Sequence, residues 1–445
     1  MDILKSPLLT DLYQLTMLQG YIEEGLHEEA VFEFYVRQMP ENRSFLIAAG
    51  LESCLRFLEG MRFSEEELQY LRQTRRFSSA LLDYLRDLRF SGDVHALQEG
   101  TVFFPNEPLV RVTAPLPIAQ LVETRLINIL HFETLIATKA ARCTLAARGR
   151  AALVDFGLRR AHGAEAGLLA ARAAYLAGFN GTATVAAEAL YGIPIFGTMA
   201  HSYIEAHNSE EEAFLNFAGA NPDNVTLLID TYDTVNGAKT AARVADMLAV
   251  RGKRVRAVRL DSGNLCELSR AVRSILDGKG YPDIQIFASG NLDEYAIEDL
   301  LSRGAPIDGF GVGTKLDTSA DVPYLECAYK LIEYAGEPRL KKSSGKATYP
   351  GRKQICRLAS AERMVQDTIC LEVEPPTGTP LIEKVMDKGR RLKNPEDLKT
   401  LARNTREQIR SLPASLCDLA GTGPYPVLIS KALLHLKEQT ERRLG

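Results

Sequence analysis

The middle of the chain alternates short apolar segments with helical patterns, and no other feature of the sequence constrains the fold as strongly. The apolar segments lie at residues 152–155, 193–197, 225–230, 255–261, 284–289 and 309–313. Helical patterns lie before and between them, at residues 121–146, 164–176, 182–191, 237–250, 265–276 and 292–302. Continuous apolar strands that alternate with helices are typical of a parallel sheet covered on both faces. The sequence therefore predicts a closed or nearly closed α/β barrel, with an open doubly wound sheet as the alternative.

Nearly every predicted strand ends in glycine or polar residues, which favours the barrel. The segments concerned are DFG at 155–157, GT at 197–198, DT at 230–231, DSG at 261–263, SG at 289–290 and GVGT at 311–314. In α/β barrels the carboxyl ends of the strands meet on one face, and that face carries the active site. Turn residues that simply follow a strand have a similar composition. Because several of these strand ends are also acidic, we expect a functional site on this face.

The pattern divides the chain into three segments. We expect an N-terminal α/β domain over residues 1–115, the barrel over 116–325 and a C-terminal segment over 326–445. The last segment contains a basic loop, KKSSGKATYPGRKQ, at 341–354. In the first segment, apolar Phe32, Phe34 and Val36 alternate with Glu33, a pattern that predicts a half-buried strand.

The charge balance and the cysteines limit the class of protein. Lys and Arg total 53 against 57 Asp and Glu, a net charge of −4, whereas nucleic-acid binders are usually basic. The 7 cysteines include no C-x-x-C pair, which favours reduced thiols over a disulfide framework. The N-terminal sequence lacks the pattern of a signal peptide, and no segment approaches the roughly 20 apolar residues of a membrane span. We therefore expect a soluble, cytoplasmic protein.

The last predicted strands end in glycine-containing segments that suit a phosphate. These segments are DSGN at 261–264, ASGN at 288–291 and GVGT at 311–314. Glycine lets the backbone approach an anion, whose oxygens then accept hydrogen bonds from N–H groups. Barrels often bind phosphate on the loops after their last strands. The segments match neither a Walker A motif nor G-x-G-x-x-G, so we predict phosphate binding without a nucleotide-fold motif.

Charged residues close to these strand ends are the candidates for chemistry. Arg259 lies inside an apolar strand, where a charge must be paired or directed at a ligand. An ion pair with Asp230 or Asp261 and a guanidinium that binds phosphate or carboxylate both remain open. His201 follows a predicted strand end, although loop histidines without a ligand are the more common case. Arg159 also follows a strand end.

Longer motifs identify a resemblance to a known family. They are DLYQLTM at 11–17, GLRRAHG at 157–163, GTMAHS at 197–202, IDTYDT at 229–234 and RLDSG at 259–263. In this order they resemble nicotinate phosphoribosyltransferases, over almost the whole chain from Thr10 to the loop at 341–354. The resemblance implies a type II phosphoribosyltransferase fold: an irregular α/β barrel with an α/β sandwich domain formed by both termini. Residues 326–445 would then pack with the N-terminal domain.

The resemblance also implies a reaction. Nicotinate, phosphoribosyl pyrophosphate and ATP would give nicotinate mononucleotide, pyrophosphate, ADP and phosphate, a step of NAD salvage. The family implies Mg²⁺, and a homodimer whose subunits share active sites. His201 would be the histidine that ATP phosphorylates, since a neutral imidazole is a good nucleophile. Phe156 and Tyr13, the latter from the neighbouring subunit, would enclose the pyridine ring.

The remaining site residues follow from the same resemblance. Arg159 and Arg259 would bind carboxylate, phosphate or pyrophosphate, and Asp261 would contact the ribose hydroxyls or a metal. Backbone groups would hold the 5-phosphate, and further side chains would line the substrate site. The backbone positions are Gly290, Gly313 and Thr314, and the lining positions are Thr182, Ala183 and Asp230. No metal ligands are assigned.

Ala183 bears on the choice of base. The related nicotinamide enzyme carries an aspartate in the Gly-Thr-x-Thr-Val stretch, which in this chain is GTATV at 181–185. Without that carboxylate, a carboxylate substrate is not repelled, so alanine favours nicotinate. An ordinary helix-forming residue in a first turn is the alternative interpretation of Ala183.

Two departures and several alternatives accompany the resemblance. Asn264 stands where the family usually has an acidic residue, which weakens any metal-binding role there. The cysteine spacing does not support the zinc cluster of some relatives. Quinolinate or nicotinamide phosphoribosyltransferase activity is one alternative, although the GTMAHS setting of His201 argues against the quinolinate enzyme. A non-catalytic nucleotide-binding homologue is the other, and it would be expected to have lost site residues.

Overall fold

The structure is a computed structural model that describes residues 6–342, 348–421 and 423–444. The chain divides into two compact units, Met1–Leu135 with Tyr324–Gly445, and Ile136–Pro323. The sequence predicts the first boundary at 115–116, whereas the units divide within one continuous helix of residues 123–147. Part of the basic loop at 341–354 lies outside the described residues. Within the described ranges, no helix combines the length and apolar character needed to cross a membrane.

Strands occur along most of the chain and are short in the middle of it. In chain order they are β1 (Glu29–Val36), β2 (Leu46–Ile47), β3 (Asp93–Leu97), β4 (Val102–Phe103), β5 (Pro108–Pro115), β6 (Ala152–Asp155), β7 (Gly181–Thr182), β8 (Thr226–Leu228), β9 (Ala257–Leu260), β10 (Gln285–Ala288), β11 (Gly309–Val312), β12 (Cys327–Tyr334), β13 (Glu337–Pro338), β14 (Lys353–Ser360), β15 (Arg363–Leu371), β16 (Thr379–Pro380), β17 (Ile382–Asp387), β18 (Arg390–Arg391) and β19 (Val427–Ile429).

Helices connect many of these strands. In chain order they are α1 (Leu12–Glu24), α2 (Leu51–Gly60), α3 (Glu65–Gln73), α4 (Ser79–Asp87), α5 (Leu116–Leu121), α6 (Glu123–Ala147), α7 (Ala164–Leu176), α8 (Val185–Tyr191), α9 (His201–Glu205), α10 (Glu210–Ala220), α11 (Thr234–Ala249), α12 (Leu265–Gly278), α13 (Glu294–Ser302), α14 (Thr314–Asp317), α15 (Leu398–Arg410), α16 (Ala414–Cys417) and α17 (Lys431–Arg443). A 3-10 helix lies at Leu158–Arg160.

The unit that contains both ends of the chain is built on mainly antiparallel sheets, in which β15 and β19 form a parallel pair. The strand order of its larger sheet is β13-β12-β1-β5-β3-β17-β18. β1 pairs with β5 on one side and with β12 on the other, and β3 pairs with β17. Strands from before and after the barrel therefore lie together in one sheet. This confirms the prediction of an α/β domain formed by both termini.

The burial of β1 differs from the prediction. Its apolar and polar residues alternate, yet every residue from Ala30 to Val36 is buried. The prediction of a half-buried strand was therefore wrong. Glu33 is fully buried, and the Nζ atom of Lys353 lies 2.7 Å from its carboxylate. A charged residue on a covered face is tolerated where an opposite charge accompanies it.

The unit over Ile136–Pro323 is the predicted barrel. Its strand order is β7-β6-β11-β10-β9-β8, and every pair is parallel. The first strand along the chain, β6, thus pairs with both β7 and the last strand, β11. Between the edge strands β7 and β8 lies an irregular segment. In it, Ile195 forms a single parallel bridge with Thr182, and the Thr198 hydroxyl donates to the Thr226 carbonyl at 2.5 Å. The ring is therefore nearly closed.

The prediction of a strand at residues 193–197 was wrong. Only Ile195 forms a bridge there, and the partner strand β7 lies earlier, where the sequence predicts the start of a helix. Pro194 has no N–H group to extend the pairing, and Gly197 follows closely. This short irregular segment takes the place of a regular strand between β7 and β8.

Candidate active site

The predicted residues of the barrel unit lie near the carboxyl ends of its strands. In chain order they are Phe156, Arg159, Thr182, Ala183, His201, Asp230, Arg259, Asp261, Gly290, Gly313 and Thr314. The strands are parallel and neighbours in one sheet, so their carboxyl ends share one edge. A chain of contacts connects most of these residues.

Arg259 is the most connected side chain of the site. Its Nε atom donates to the Ser289 hydroxyl at 2.8 Å, and Nη2 donates to Asp261 Oδ1 at 2.9 Å. The guanidinium also lies 5.5 Å from the centre of the Phe156 ring. The ion pair that the sequence left open therefore forms with Asp261. A guanidinium fixed in this way presents a stationary positive charge at the barrel mouth.

Asp261 is held as a carboxylate. Burial alone would raise its pKa, but hydrogen bonding from Ser289 and the charge of Arg259 outweigh burial and lower the pKa below the usual value. Its backbone N–H donates to Asp230 Oδ2 at 2.9 Å, and the Ser262 hydroxyl donates to the same oxygen at 2.6 Å. Asp230 therefore supports the Asp261 turn.

The second oxygen of Asp230 is available for a ligand. Its Oδ1 atom is buried and has no hydrogen-bond partner among the described residues. A buried acceptor without a partner is costly, so a bound hydroxyl group or hydrated cation would satisfy it. This fits the predicted role of Asp230 in binding substrate.

His201 is the first residue of α9 and remains accessible. Its Nδ1 atom lies 3.1 Å from the Thr231 hydroxyl, and its Nε2 atom lies 3.9 Å from Asp261 Oδ2. The side chain is 40% exposed. Thr231 engages Nδ1, whereas Nε2 makes no hydrogen bond within the part of the chain that the structure describes. The structure thus brings His201, Asp261 and Arg259 into one cluster.

Phe156 follows β6 and forms an aromatic wall. Its ring packs against Phe287 with centroids 5.8 Å apart. It also lies over Gly311, where a Cβ atom would come within 2.5 Å of the ring. Gly311 therefore leaves the space that the ring occupies, and the backbone carbonyl of Phe156 lies beside Gly313.

Thr182 and Ala183 lie at the end of β7. The Thr182 hydroxyl is buried and donates to Asp155 Oδ2 at 2.7 Å, so it supports the β6 strand end. Ala183 is exposed, and its N–H donates to the Asp155 carbonyl at 2.8 Å. Helix α8 begins only at Val185. The interpretation of Ala183 as a first-turn helix residue was therefore wrong, because it belongs to the strand end.

The glycines bring the backbone of neighbouring strand ends together. At Gly290 φ is +101°, and a Cβ atom would lie 2.2 Å from the Asp261 carbonyl oxygen. At Gly313 a Cβ atom would lie 2.8 Å from the Phe156 carbonyl oxygen. Thr314 begins α14 directly after Gly313. Any side chain at these glycines would push neighbouring turns apart.

Arg159 and Tyr13 are both exposed side chains. Arg159 is exposed on the 3-10 helix after β6. Tyr13 belongs to the other unit, where it is 44% exposed on α1. The predicted roles of both residues stay predictions.

Sequence reasoning missed two hydroxyl groups of the site. Thr231 contacts His201, and Ser289 bonds to both Arg259 and Asp261. Thr231 belongs to the strand end DT at 230–231, and Ser289 belongs to SG at 289–290. In these two segments, only the aspartate and the glycine were predicted as site residues. A hydroxyl residue directly beside a predicted site residue was the available signal.

The site offers no preformed metal cage in the part of the chain that the structure describes. There, no three side chains of His, Cys, Asp or Glu are grouped so as to hold a metal ion. Mg²⁺ usually keeps several waters and binds through one or two carboxylates and the substrate's phosphates. The accessible carboxylate of Asp261 and the unpaired oxygen of Asp230 suit that limited role.

Comparisons with known proteins identify the family of the chain. Residues 8–131 match the nicotinate phosphoribosyltransferase (NAPRTase) N-terminal domain, and residues 151–356 match the nicotinate phosphoribosyltransferase (NAPRTase) family. The chain is 48% identical over 429 residues to nicotinate phosphoribosyltransferase pncB2 of Mycobacterium tuberculosis, covering 96% of this chain and 92% of the relative. It is 42% identical over 357 residues to the nicotinate phosphoribosyltransferase of Bacillus subtilis, covering 78% and 72%.

The fold agrees as well. The crystal structure of human nicotinic acid phosphoribosyltransferase matches with a TM-score of 0.88 and 28% identity, over 97% of this chain and 99% of that one. This confirms the predicted type II phosphoribosyltransferase architecture. The chain therefore belongs to the nicotinate phosphoribosyltransferase family.

Proposed function

We propose that this enzyme transfers a phosphoribosyl group from phosphoribosyl pyrophosphate to nicotinate, coupled to ATP through phosphorylation of His201. Its relatives carry the name of that transferase. The observation that carries the ATP-coupled part is the cluster of His201, Asp261 and Arg259 at the barrel mouth. An accessible imidazole beside an ordered carboxylate and a fixed guanidinium suits chemistry on phosphates.

The first step is phosphorylation of the histidine. The Nε2 atom of His201 attacks the γ-phosphorus of ATP, the bond from that phosphorus to the β–γ bridging oxygen breaks, and ADP leaves with the electron pair. Thr231, 3.1 Å from Nδ1, orients the ring. Water later cleaves the N–P bond and releases phosphate. The added negative charge would lie near the Asp261 carboxylate, 3.9 Å from Nε2, and Arg259, which binds that carboxylate, offsets the repulsion.

The second step is transfer to the base. The pyridine nitrogen attacks C1 of the ribose with its own lone pair, so no general base is required. The bond from C1 to pyrophosphate breaks, and pyrophosphate leaves with the electron pair. Asp261 stabilises the positive charge that develops on the sugar, and Arg259 stabilises the leaving group. Mg²⁺ bound to the pyrophosphate would neutralise part of its charge.

The substrate is positioned by the surrounding strand ends. Phe156 stacks on the pyridine ring, and Arg159 is exposed on the surface to bind the carboxylate. Backbone groups at Gly290, Gly313 and Thr314 hold the 5-phosphate. Neither glycine can gain a side chain without displacing its neighbour, as the close approaches at Gly290 and Gly313 illustrate.

Nicotinate, and not nicotinamide, is the proposed base. Ala183 is exposed at the end of β7 and carries neither charge nor acceptor. The proposed enzyme works as a homodimer in which Tyr13 of one subunit completes the other's site. Its exposure on α1 is compatible with that role. The cysteines are all free, which supports a cytoplasmic location.

A labelling experiment tests the proposal. The purified protein is incubated with γ-labelled ATP, and the label is located by peptide mapping in the wild type, His201→Ala and His207→Ala. His207, on the turn after α9, contacts the Tyr203 carbonyl and not the cluster, so it is the matched control. We expect label on His201 in the wild type and in His207→Ala. Unlabelled protein that still couples ATP hydrolysis to product formation would overturn the phosphohistidine.

A parallel assay separates the alternatives. Product formation from nicotinate, nicotinamide and quinolinate is followed with phosphoribosyl pyrophosphate present. We expect nicotinate mononucleotide, stimulated by ATP. Turnover of quinolinate with release of carbon dioxide would favour the quinolinate enzyme, and absence of every product would favour a non-catalytic homologue.

A further inference from the structure

Two buried carboxyl groups lie side by side at the strand end of β6. Asp155 ends β6, and Asp317 ends the short helix α14 that follows Gly313. Both aspartates are 1% exposed. Neither takes part in the proposed chemistry, and Asp317 was not a predicted site residue.

Gly157 lets the two carboxyl groups approach. A Cβ atom on Gly157 would lie 2.1 Å from Asp317 Cγ, so the Asp317 carboxyl group occupies the space of the missing side chain. The N–H of Gly157 donates to Asp155 Oδ1 at 2.7 Å, while Thr182 donates to Asp155 Oδ2. Asp155 therefore has a donor for each oxygen, as a carboxylate requires.

Asp317 has no comparable partner. Both its oxygens are buried, and in the described part of the chain neither accepts a hydrogen bond. Burial and the neighbouring Asp155 raise the pKa of Asp317 well above its usual range. Burial also raises the pKa of Asp155, against the hydrogen bonds from Thr182 and Gly157.

The surroundings of Asp317 supply no cation in contact with its carboxyl group among the described residues. The elements that pack most extensively against α14 are the 3-10 helix and α7. The 3-10 helix carries Arg159 and Arg160, both exposed, and α7 carries Glu165 and the buried Arg172. After burial, Asp155 is the group that governs the protonation of Asp317. Two adjacent buried carboxyl groups cannot both ionise, so they retain one proton.

We propose that Asp317 is a positioning residue whose protonated carboxyl group donates a hydrogen bond to Asp155 and so joins two loops of the active site. One loop carries Phe156, and the other carries Gly313 and Thr314. The inference rests on the proposed function, because these loops hold the pyridine ring and the 5-phosphate there. Loss of the shared proton places two negative charges together and drives the loops apart.

The expected behaviour with pH has a definite sign. A carboxyl group whose pKa is raised on folding stabilises the fold at low pH, and this contribution is lost as the pH rises through the raised value. The window therefore begins at the ordinary carboxyl pKa of about 4 and extends upward. Over it, the folded protein binds up to one proton more than the unfolded chain, so the melting temperature falls as the pH rises.

The test compares two substitutions of Asp317 with a control. Asp317→Asn keeps a hydrogen-bond donor but cannot titrate, and Asp317→Leu places a larger apolar side chain there that has no donor. Asp308→Asn is the matched control, since Asp308 is an exposed aspartate just before β11 that accepts from the Ile286 N–H. Melting temperature and the KM for phosphoribosyl pyrophosphate are measured from about pH 5 to pH 9.

We expect the wild type and Asp308→Asn to melt at lower temperature and to show a rising KM as the pH increases. Asp317→Asn should flatten both profiles while keeping the neutral-pH KM within about twofold. Asp317→Leu should raise KM about tenfold at every pH, with kcat less affected, because the loops are no longer joined. A wild-type slope that persists in Asp317→Asn, or an unchanged KM in Asp317→Leu, would overturn the inference.

Failure of the proposed function would look different. In that case the wild type would form no nicotinate mononucleotide at any pH. The melting profiles of the wild type, Asp317→Asn and Asp308→Asn would still report whether the shared proton exists, since they need no substrate. The two proposals can therefore fail separately.

Discussion

Arg259→Lys tests the geometry of the cluster of His201, Asp261 and Arg259. The substitution keeps the positive charge but removes the guanidinium, whose separate nitrogens bind two partners at once. In the wild type, Arg259 donates to Ser289 and to Asp261 through different nitrogens. A lysine ammonium is a point charge on a flexible stem and can retain only one of these contacts at good geometry. The substitution therefore asks whether activity needs the positive charge alone or its fixed orientation.

The magnitude follows from the bond that is lost. A hydrogen bond to a charged group contributes about 1.5–3 kcal/mol. The Asp261 side chain is 30% exposed, so solvent screening reduces this to about 1–2 kcal/mol. If the cluster stabilises the transition state, kcat/KM for phosphoribosyl pyrophosphate should fall about 5- to 30-fold.

The pH profile should change in a defined direction. Asp261 has a lowered pKa because Ser289 and Arg259 together outweigh its burial. A carboxylate with a lowered pKa contributes stability above its unfolded pKa, and this contribution is lost as the pH falls through the folded value. With Arg259→Lys the folded pKa rises, so the acid limb of kcat/KM should move to higher pH.

Arg273→Lys is the matched control. Arg273 has the same kind of arrangement, with Nε on Asp277 and Nη1 on the Ile284 carbonyl, both at 2.7 Å. It lies on α12 and binds the carbonyl of Ile284, which directly precedes the amino end of β10, whereas the site lies at the carboxyl ends of the strands. Arg273→Lys should lower the melting temperature without reducing kcat/KM. Equal losses of kcat/KM in both variants, or a wild-type value in Arg259→Lys, would refute the reasoning.

Further substitutions address single contacts. Thr231→Val removes the partner of His201 Nδ1, and histidine labelling by ATP should slow about 3- to 10-fold, since a hydrogen bond contributes about 1 kcal/mol. Ala183→Asp should raise the KM for nicotinate about tenfold or more and allow turnover of nicotinamide, as steady-state kinetics with each base would show. Gly290→Ala should lower the unfolding free energy measured in urea by about 1–3 kcal/mol, because the backbone there has φ +101° and no space for a Cβ atom.

The sequence predicted the barrel strands well where burial on both faces dictates their composition. The segment 152–155 coincides with β6, and β8, β9, β10 and β11 fall inside their predicted ranges. The segment at 193–197 has the same apolar composition but only one bridge, because Pro194 limits the pairing. Its true neighbour, β7, consists of Gly181 and Thr182, and two residues are too few to produce a pattern.

The site was predictable as a set of strand ends and less so as a set of contacts. Parallel strands place their carboxyl ends on one face whatever their details, so His201, Arg259 and Asp261 could be expected together. Whether Arg259 pairs with Asp230 or with Asp261 depends on side-chain directions that spacing does not determine. In the structure, Asp261 Oδ1 accepts a hydrogen bond from the Arg259 guanidinium. Asp230 accepts one from the backbone N–H of Asp261 instead.

Asp317 shows why some functional features leave no local signal. In the sequence it is a single acidic residue after Lys315 and Leu316, where an exposed helix end would be the ordinary interpretation. Its neighbour Asp155 belongs to the first strand of the barrel, and β11 just before Asp317 is the last. These strands are the first and last of the barrel in chain order, yet they are neighbours in the sheet, with Val312 opposite Asp155. The carboxyl pair is therefore a product of the pairing between the first and last strands of the barrel, and a sheet in which these strands were not neighbours would separate the two aspartates.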